Sequence, residues 1–320
     1  MTGTHRPSTI TDPAARAGGD GATRRQGVGL ALLTALISGV AVWVNGRAVT
    51  DFDSPTLYTT AKNLVAAMAL GGMLLTATRV HSAEGWTRPT TTGQWVGLTA
   101  VGVLGGSVPF VLFFEGLARA GSTDAAFVHK TLILWVALLA VPLLGERLGP
   151  RHVAAIVLVL WGQAELGGGI AVGADGGVAL VAAATLCWAV EVIVAKRLLA
   201  ELSPLTVAAA RMGIGAALLV AWTVATTGAD LVALDAGQVG WLLLTGALLT
   251  GYVATWYSAL SRAPAVDVTA VLVVGALITA SLGAAVDGAA LGPLVPGLIL
   301  LTAGAALIAV PRRRPVPAER

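Results

Sequence analysis

The chain has one cysteine, Cys187, and four histidines in 320 residues. One cysteine excludes an intrachain disulfide, and so few soft ligands leave a metal site poorly supplied. Charge is scarce too. Asp, Glu, Lys and Arg make up 12% of the chain, about half of the roughly 25% usual in soluble domains. No His-Glu-x-x-His, Gly-x-Ser-x-Gly or Gly-x-x-x-x-Gly-Lys-Ser/Thr pattern occurs, so neither an enzyme nor a cofactor is expected. Residues 1–26 are polar and lack the apolar stretch of a signal peptide; they read as a disordered cytoplasmic tail, and 311–320 as a basic cytoplasmic tail.

What the chain does have is apolar length. Hydrophobic residues make up 56% of it, and uncharged runs extend from Gln26 to Gly46, Pro89 to Phe114, Met212 to Gly228, Ala236 to Ser261 and Gly288 to Pro311. A spanning helix needs about 20 mostly apolar residues. Ten such segments are expected, at about 27–47, 56–78, 93–117, 124–144, 152–172, 177–196, 204–227, 237–260, 267–286 and 290–310. The fold class is therefore an all-α integral membrane protein. With the N-terminus inside, the inner loops and tails collect Arg24, Arg25, Arg147, Arg151, Lys196, Arg197, Arg262 and Arg312 to Arg314, and the outer loops hold only Arg47 and Arg119. That bias obeys the positive-inside rule and requires an even number of spans. It places the protein in a bacterial-type inner membrane with both termini cytoplasmic.

The two halves resemble each other. Gly27-Val28-Gly29-Leu30 recurs as Gly177-Val178-Ala179-Leu180, and Arg47 matches Arg197. Ser54-Pro55 matches Ser203-Pro204 after a one-residue slip, which sets Lys62 on Arg211. Leu117-Ala118-Arg119-Ala120 with Asp124 matches Leu260-Ser261-Arg262-Ala263 with Asp267, and Gly149-Pro150 matches Gly292-Pro293. Each half holds five spans. The second copy therefore enters the membrane in the opposite sense, as in inverted-repeat transporters with a site near the midplane. The domains are 27–172 and 177–310.

These features resemble the drug/metabolite transporter superfamily, specifically its EamA-type ten-helix members. The resemblance rests on Leu144-Gly145-Glu146-Arg147-Leu148-Gly149 after the fourth span and Gly162 in the fifth. Leu186-Cys187-Trp188-Ala189 followed by Lys196-Arg197 looks like the opening of the second repeat, and Arg211 matches a basic residue early in the next helix. The second repeat departs from the pattern, with Val286-Asp287-Gly288 where a glutamate is expected, and Ile37-Ser38-Gly39-Val40-Ala41 lacks the usual tryptophan. The resemblance implies a carrier of metabolites, amino acids or drugs. It leaves substrate, direction and coupling ion open.

Ionisable groups inside a span are costly and point to function. Phe127-Val128-His129-Lys130-Thr131 sets a basic pair inside an apolar run. Lys130, Lys62 and Glu115 fall in the outer third of the first half, and Glu191 and Arg211 in the inner third of the second. Lys130 is suited to a substrate carboxylate or phosphate, the other readings being an ion pair with Glu115 and snorkelling to the interface. His129 sits about 100° round the helix from it and is read as a helix-to-helix hydrogen-bonding group. Glu191 is read either as a proton carrier or as the partner of Arg211 or of Lys196, the latter at a five-residue spacing that suits a helix poorly. Asn45, Asn63, Trp256 and Tyr257 are candidates to line the cavity, and Pro109 to break span three. The expected function is alternating-access transport of a small polar or amphipathic solute, proton-coupled through Glu191 and Arg211. The alternatives are a channel and a non-transporting receptor or scaffold.

Overall fold

The computed structural model describes residues 13–80, 85–120, 128–166, 176–227 and 234–309, with no strand among the described residues. Asp124, Phe127 and the extreme tails lie outside them. The helices are α1 (Pro13–Ala48), α2 (Pro55–Arg79), α3 (Thr92–Gly106), α4 (Val108–Ala120), α5 (Leu132–Leu144) and α6 (Pro150–Leu166) in the first half. The second half has α7 (Gly176–Leu198), α8 (Pro204–Thr227), α9 (Ala236–Arg262), α10 (Ala265–Leu272), α11 (Gly275–Asp287) and α12 (Val295–Ala309). Eight helical segments are long and apolar enough to cross a bilayer. The shorter Val128–Leu144 and Pro150–Leu166 complete the ten. Helix α1 starts at Pro13, well before the expected start of span one.

Local chemistry repeats between the halves. Ser54 caps α2 by accepting from the Leu57 N–H, and Ser203 accepts from Thr206 N–H at the start of α8. Each is followed by a proline, whose missing N–H costs nothing in a first helical turn. Gly145 and Gly288 end α5 and α11 in the left-handed conformation, at φ 68° and 69°, which glycine adopts without a Cβ clash.

Packing follows the same pseudo-twofold. The pair α1 with α9 has α4 with α7 as its mate; α1 with α11 mirrors α5 with α7; α2 with α9 mirrors α3 with α8. The contacts α2 with α8 and α6 with α12 are each their own mate, as at the level of whole spans is that of span four with span nine, made by α5 with α10. Lipid offers no hydrophobic drive between helices, so close backbone approach decides association. A Cβ at Gly162 would meet the Gly297 carbonyl at 2.7 Å, and one at Gly297 the Gly162 carbonyl at 2.8 Å. Gly106 and Gly215 cross just as tightly between α3 and α8.

Three spans are interrupted. Span three breaks at Ser107 (φ −138°, ψ −73°), between α3 and α4, as Pro109 leads one to expect. Span four breaks at Thr131, where the Thr131 N–H donates to the Val128 carbonyl, one residue too tightly for an α-helix. Span nine breaks at Val273-Val274 with the same short-range bonding. By the repeat register Thr131 matches Val274, so these two breaks are equivalent.

Candidate functional site

The site begins with Pro109. It has no N–H to give the carbonyl one turn back, that of Gly105. That freed carbonyl accepts instead from Arg211 Nη2 of α8 at 3.0 Å and from the Trp188 indole N–H of α7 at 3.2 Å. Gly105 must be glycine: a Cβ there would lie 2.6 Å from Glu191 Cγ and 2.9 Å from Arg211 Nε. Glu191 is 2% exposed and Arg211 8%. The Tyr257 hydroxyl of α9 donates to Glu191 Oε1 at 2.5 Å. Helices α3, α7, α8 and α9 thus meet around one glutamate, one arginine and one tyrosine, inside the spans and across the repeat boundary. Tyr252 stacks on Trp256 at 6.2 Å on the same helix as Tyr257.

Glu191 and Arg211 are neighbours, yet neither is the other's hydrogen-bond partner. Arg211 turns to the Gly105 carbonyl and the Met212 sulfur, and its buried Nε has no partner. A sequence reader cannot see that a proline has freed a carbonyl to compete for the guanidinium.

The first-half candidates are distributed differently. Lys62 donates to Asn45 Oδ1 at 2.9 Å, and the Tyr58 hydroxyl donates to the same oxygen. Asn63 is wholly buried, and neither end of its amide has a hydrogen-bond partner. Glu115 does not pair with Lys130. It holds Arg119 one turn along α4 at 2.9 Å, both side chains being more than half exposed, because the i,i+4 spacing on one helix brings Arg119 to it directly. Lys130 stands at the break in span four without an ion pair or hydrogen bond among the described residues. His129 packs edge-on against Trp188 at 4.8 Å and Phe113 at 5.4 Å, with a buried Nδ1 that has no partner. Its aromatic contacts replace the helix-to-helix hydrogen bond expected for it. Phe110 completes this aromatic group against Trp188 at 5.5 Å. Further toward that end, a small crevice is lined by Thr56, Thr59, Phe110, Phe114, Glu115 and Trp222, among others.

At the other end of the bundle, the one bearing Arg24, Arg151, Arg197 and Arg262 and here termed the basic face, a second cluster appears that the sequence marked only as a repeat match. Asp267, 1% exposed, binds Arg24 Nη2 at 2.7 Å. His152 Nδ1 accepts the Gly149 N–H at 3.0 Å, so the ring proton of the neutral imidazole sits on Nε2, which faces Asp267 Oδ1 at 3.3 Å. Glu146 accepts from the first N–H groups of α10, Ala265 at 2.6 Å and Val266 at 3.2 Å. Lys196 donates to the Leu260 and Ala263 carbonyls. Helices α1, α6, α7, α9 and α10 and the loop after α5 are tied together there.

Comparison with known proteins agrees with this architecture. The model of the EamA-like transporter family matches twice, over residues 25–164 and 175–310. A solved crystal structure, described only as that of a protein, superposes with a TM-score of 0.67 at 21% identity, over 87% of this chain and 95% of that one. No curated protein matches. With both five-helix halves matched in order, the chain belongs to the EamA-like transporter family, as a membrane transporter built from two inverted repeats.

Proposed function

We propose that this transporter is a secondary carrier that moves a small polar or amphipathic metabolite across the cytoplasmic membrane by alternating access, with the basic face toward the cytoplasm. The observation that carries this reading is the Glu191–Tyr257–Arg211 cluster. Ionisable residues are retained at such depth in a membrane chiefly where a substrate or ion path needs them. The cluster lies where the two repeats meet, as expected for a site around which inverted bundles rock. Lys62, Asn63, Lys130, Glu115, Trp256 and Tyr257 are the proposed substrate-side residues, and Glu191 with Arg211 the coupling pair. A proton on Glu191 changes the charge of the cluster by one unit, and in a medium of low dielectric that is enough to favour one packing of the bundles over another.

The test is flux in liposomes containing the purified protein. Saturable uptake driven by a pH gradient is expected. Glu191→Gln should abolish the pH drive but leave solute exchange. Unitary currents without saturation would establish a channel instead.

A further inference from the structure

Away from the span ends, the charges of the described residues do not balance. Three cations lie there: Lys62, Lys130 and Arg211. Their observed partners are neutral: the Asn45 side-chain oxygen for Lys62 at 2.9 Å, the Gly105 carbonyl for Arg211 at 3.0 Å, and none among the described residues for Lys130. The one acid buried at this depth among the described residues, Glu191, takes its hydrogen bond from Tyr257. Glu115 is committed to Arg119 at the exposed end of α4. Away from the span ends and among the described residues, cations therefore exceed acids even when Glu191 is charged.

Several donors are also unfilled. Arg211 Nε and Asn63 Nδ2 are buried without a partner, as are Asn63 Oδ1 and His129 Nδ1, and the Lys130 ammonium has none among the described residues. Buried donors left open are costly, and an anion, which only accepts, fills them best. Their placement is ordered. Lys62 and Arg211 are repeat mates, equally far from the prolines that begin their helices, about 10 Å along the axis at 1.5 Å per residue. Because the repeats are inverted, one cation lies toward each face of the membrane. Lys130 lies at the break in span four, next in sequence to His129, which Phe113 and Trp188 hold. Broken helices in carriers are where substrate groups bind.

From these charges, and resting on the carrier reading above, we infer that the transported solute is a small organic anion. Its carboxylate or phosphate is received by Lys130 and Lys62 from one side and by Arg211 from the other, and its apolar part lies against the aromatic group of span three and α7. The net positive interior selects against organic cations.

The experiment is a thermal-shift series on the full-length protein in detergent, followed by counterflow in liposomes. The probes are benzoate and phenylpyruvate, glycerol phosphate, the neutral benzamide, zwitterionic phenylalanine, and the cation tetraphenylphosphonium. Stabilisation by the carboxylates or by the phosphate ester is expected, and whichever series binds tighter identifies the group. Lys130→Gln should weaken that binding about tenfold or more, and Lys130→Arg should restore most of it. Lys130→Arg also guards against a folding defect, as does an unchanged melting curve of ligand-free Lys130→Gln. Tightest binding of the cation, the amide or the zwitterion would overturn the inference, as would no stabilisation by any anion, or anion binding that Lys130→Gln leaves intact. The carrier reading fails separately. Anion binding without counterflow would remove the carrier and keep the anion site, whereas counterflow of neutral or cationic solutes would keep the carrier and remove the anion.

Discussion

The two ends of the bundle are made from the same repeat and are held together by different means. At the basic face Asp267 is nearly inaccessible and is gripped by Arg24 while His152 faces it, and Glu146 caps α10. At the opposite end the ion pairs join half-exposed side chains: Arg47 with Asp287, whose other oxygen accepts from Trp43, and Glu115 with Arg119. The repeat register explains the difference. The mates of Arg24, Glu146, His152 and Lys196 are Ala174, Ala289, Val295 and Gly46, none of which ionises. Duplication copied the helices and their glycine crossings, whereas among the described residues the buried charged ties lie at one end. Buried ties count for more than exposed ones because removing one partner strands the other in a poorly solvated place. On the alternating-access reading proposed above, the basic face is the closed side in this conformation, and opening toward it separates Asp267 from Arg24 and His152.

The largest expected effect comes from breaking that buried contact. Asp267→Ala should cost about 3 kcal/mol of stability in detergent, read from chemical unfolding, whereas Asp287→Ala at the other end should cost less than about 1 kcal/mol. Equal losses would erase the distinction between the ends. Next in size is the cap. Glu146→Ala leaves two N–H groups of α10 without acceptors and should cost about 1–2 kcal/mol by the same measurement. Its counterpart control, Glu115→Ala, should lie within about 0.5 kcal/mol of the parent.

The smallest effects should be shared by both ends. Gly145→Ala and Gly288→Ala each force a side chain into a left-handed turn, at φ 68° and 69°, and should each cost about 1 kcal/mol. A large inequality between these two would mean that the repeats differ in backbone strain as well as in charge.

Much of this was legible from the sequence, in uneven ways. Ten apolar segments and the order of Gly, Pro and basic residues carry the fold, since span length and loop charge are one-dimensional properties of a membrane protein. Glu191, Arg211 and Tyr257 stood out as polar groups in apolar runs, and they meet. Their hydrogen bonds did not stand out. That of Arg211 depends on the Gly105 carbonyl, freed four residues before Pro109 in span three. The break beside Lys130 was equally hidden, because Thr131 carries no breaker signal of its own. Asp267 sits two residues after α10 begins and reads as an ordinary helix-start acid; only the packing of α1 and α6 onto it brings Arg24 and His152 there.

The most direct test of the one-sided closure is thiol accessibility in lipid vesicles. Two reporters would be placed singly in a Cys187→Ala background: Ala195→Cys, at a fully buried position in α7 toward the basic face, and Thr56→Cys in the opposite crevice. With the solute absent, a membrane-impermeant maleimide should label Thr56→Cys and leave Ala195→Cys unreacted from either side. Adding Asp267→Asn should expose Ala195→Cys from the basic face and slow labelling of Thr56→Cys. Fast labelling of Ala195→Cys while Asp267 is intact, or no change on adding Asp267→Asn, would contradict the account.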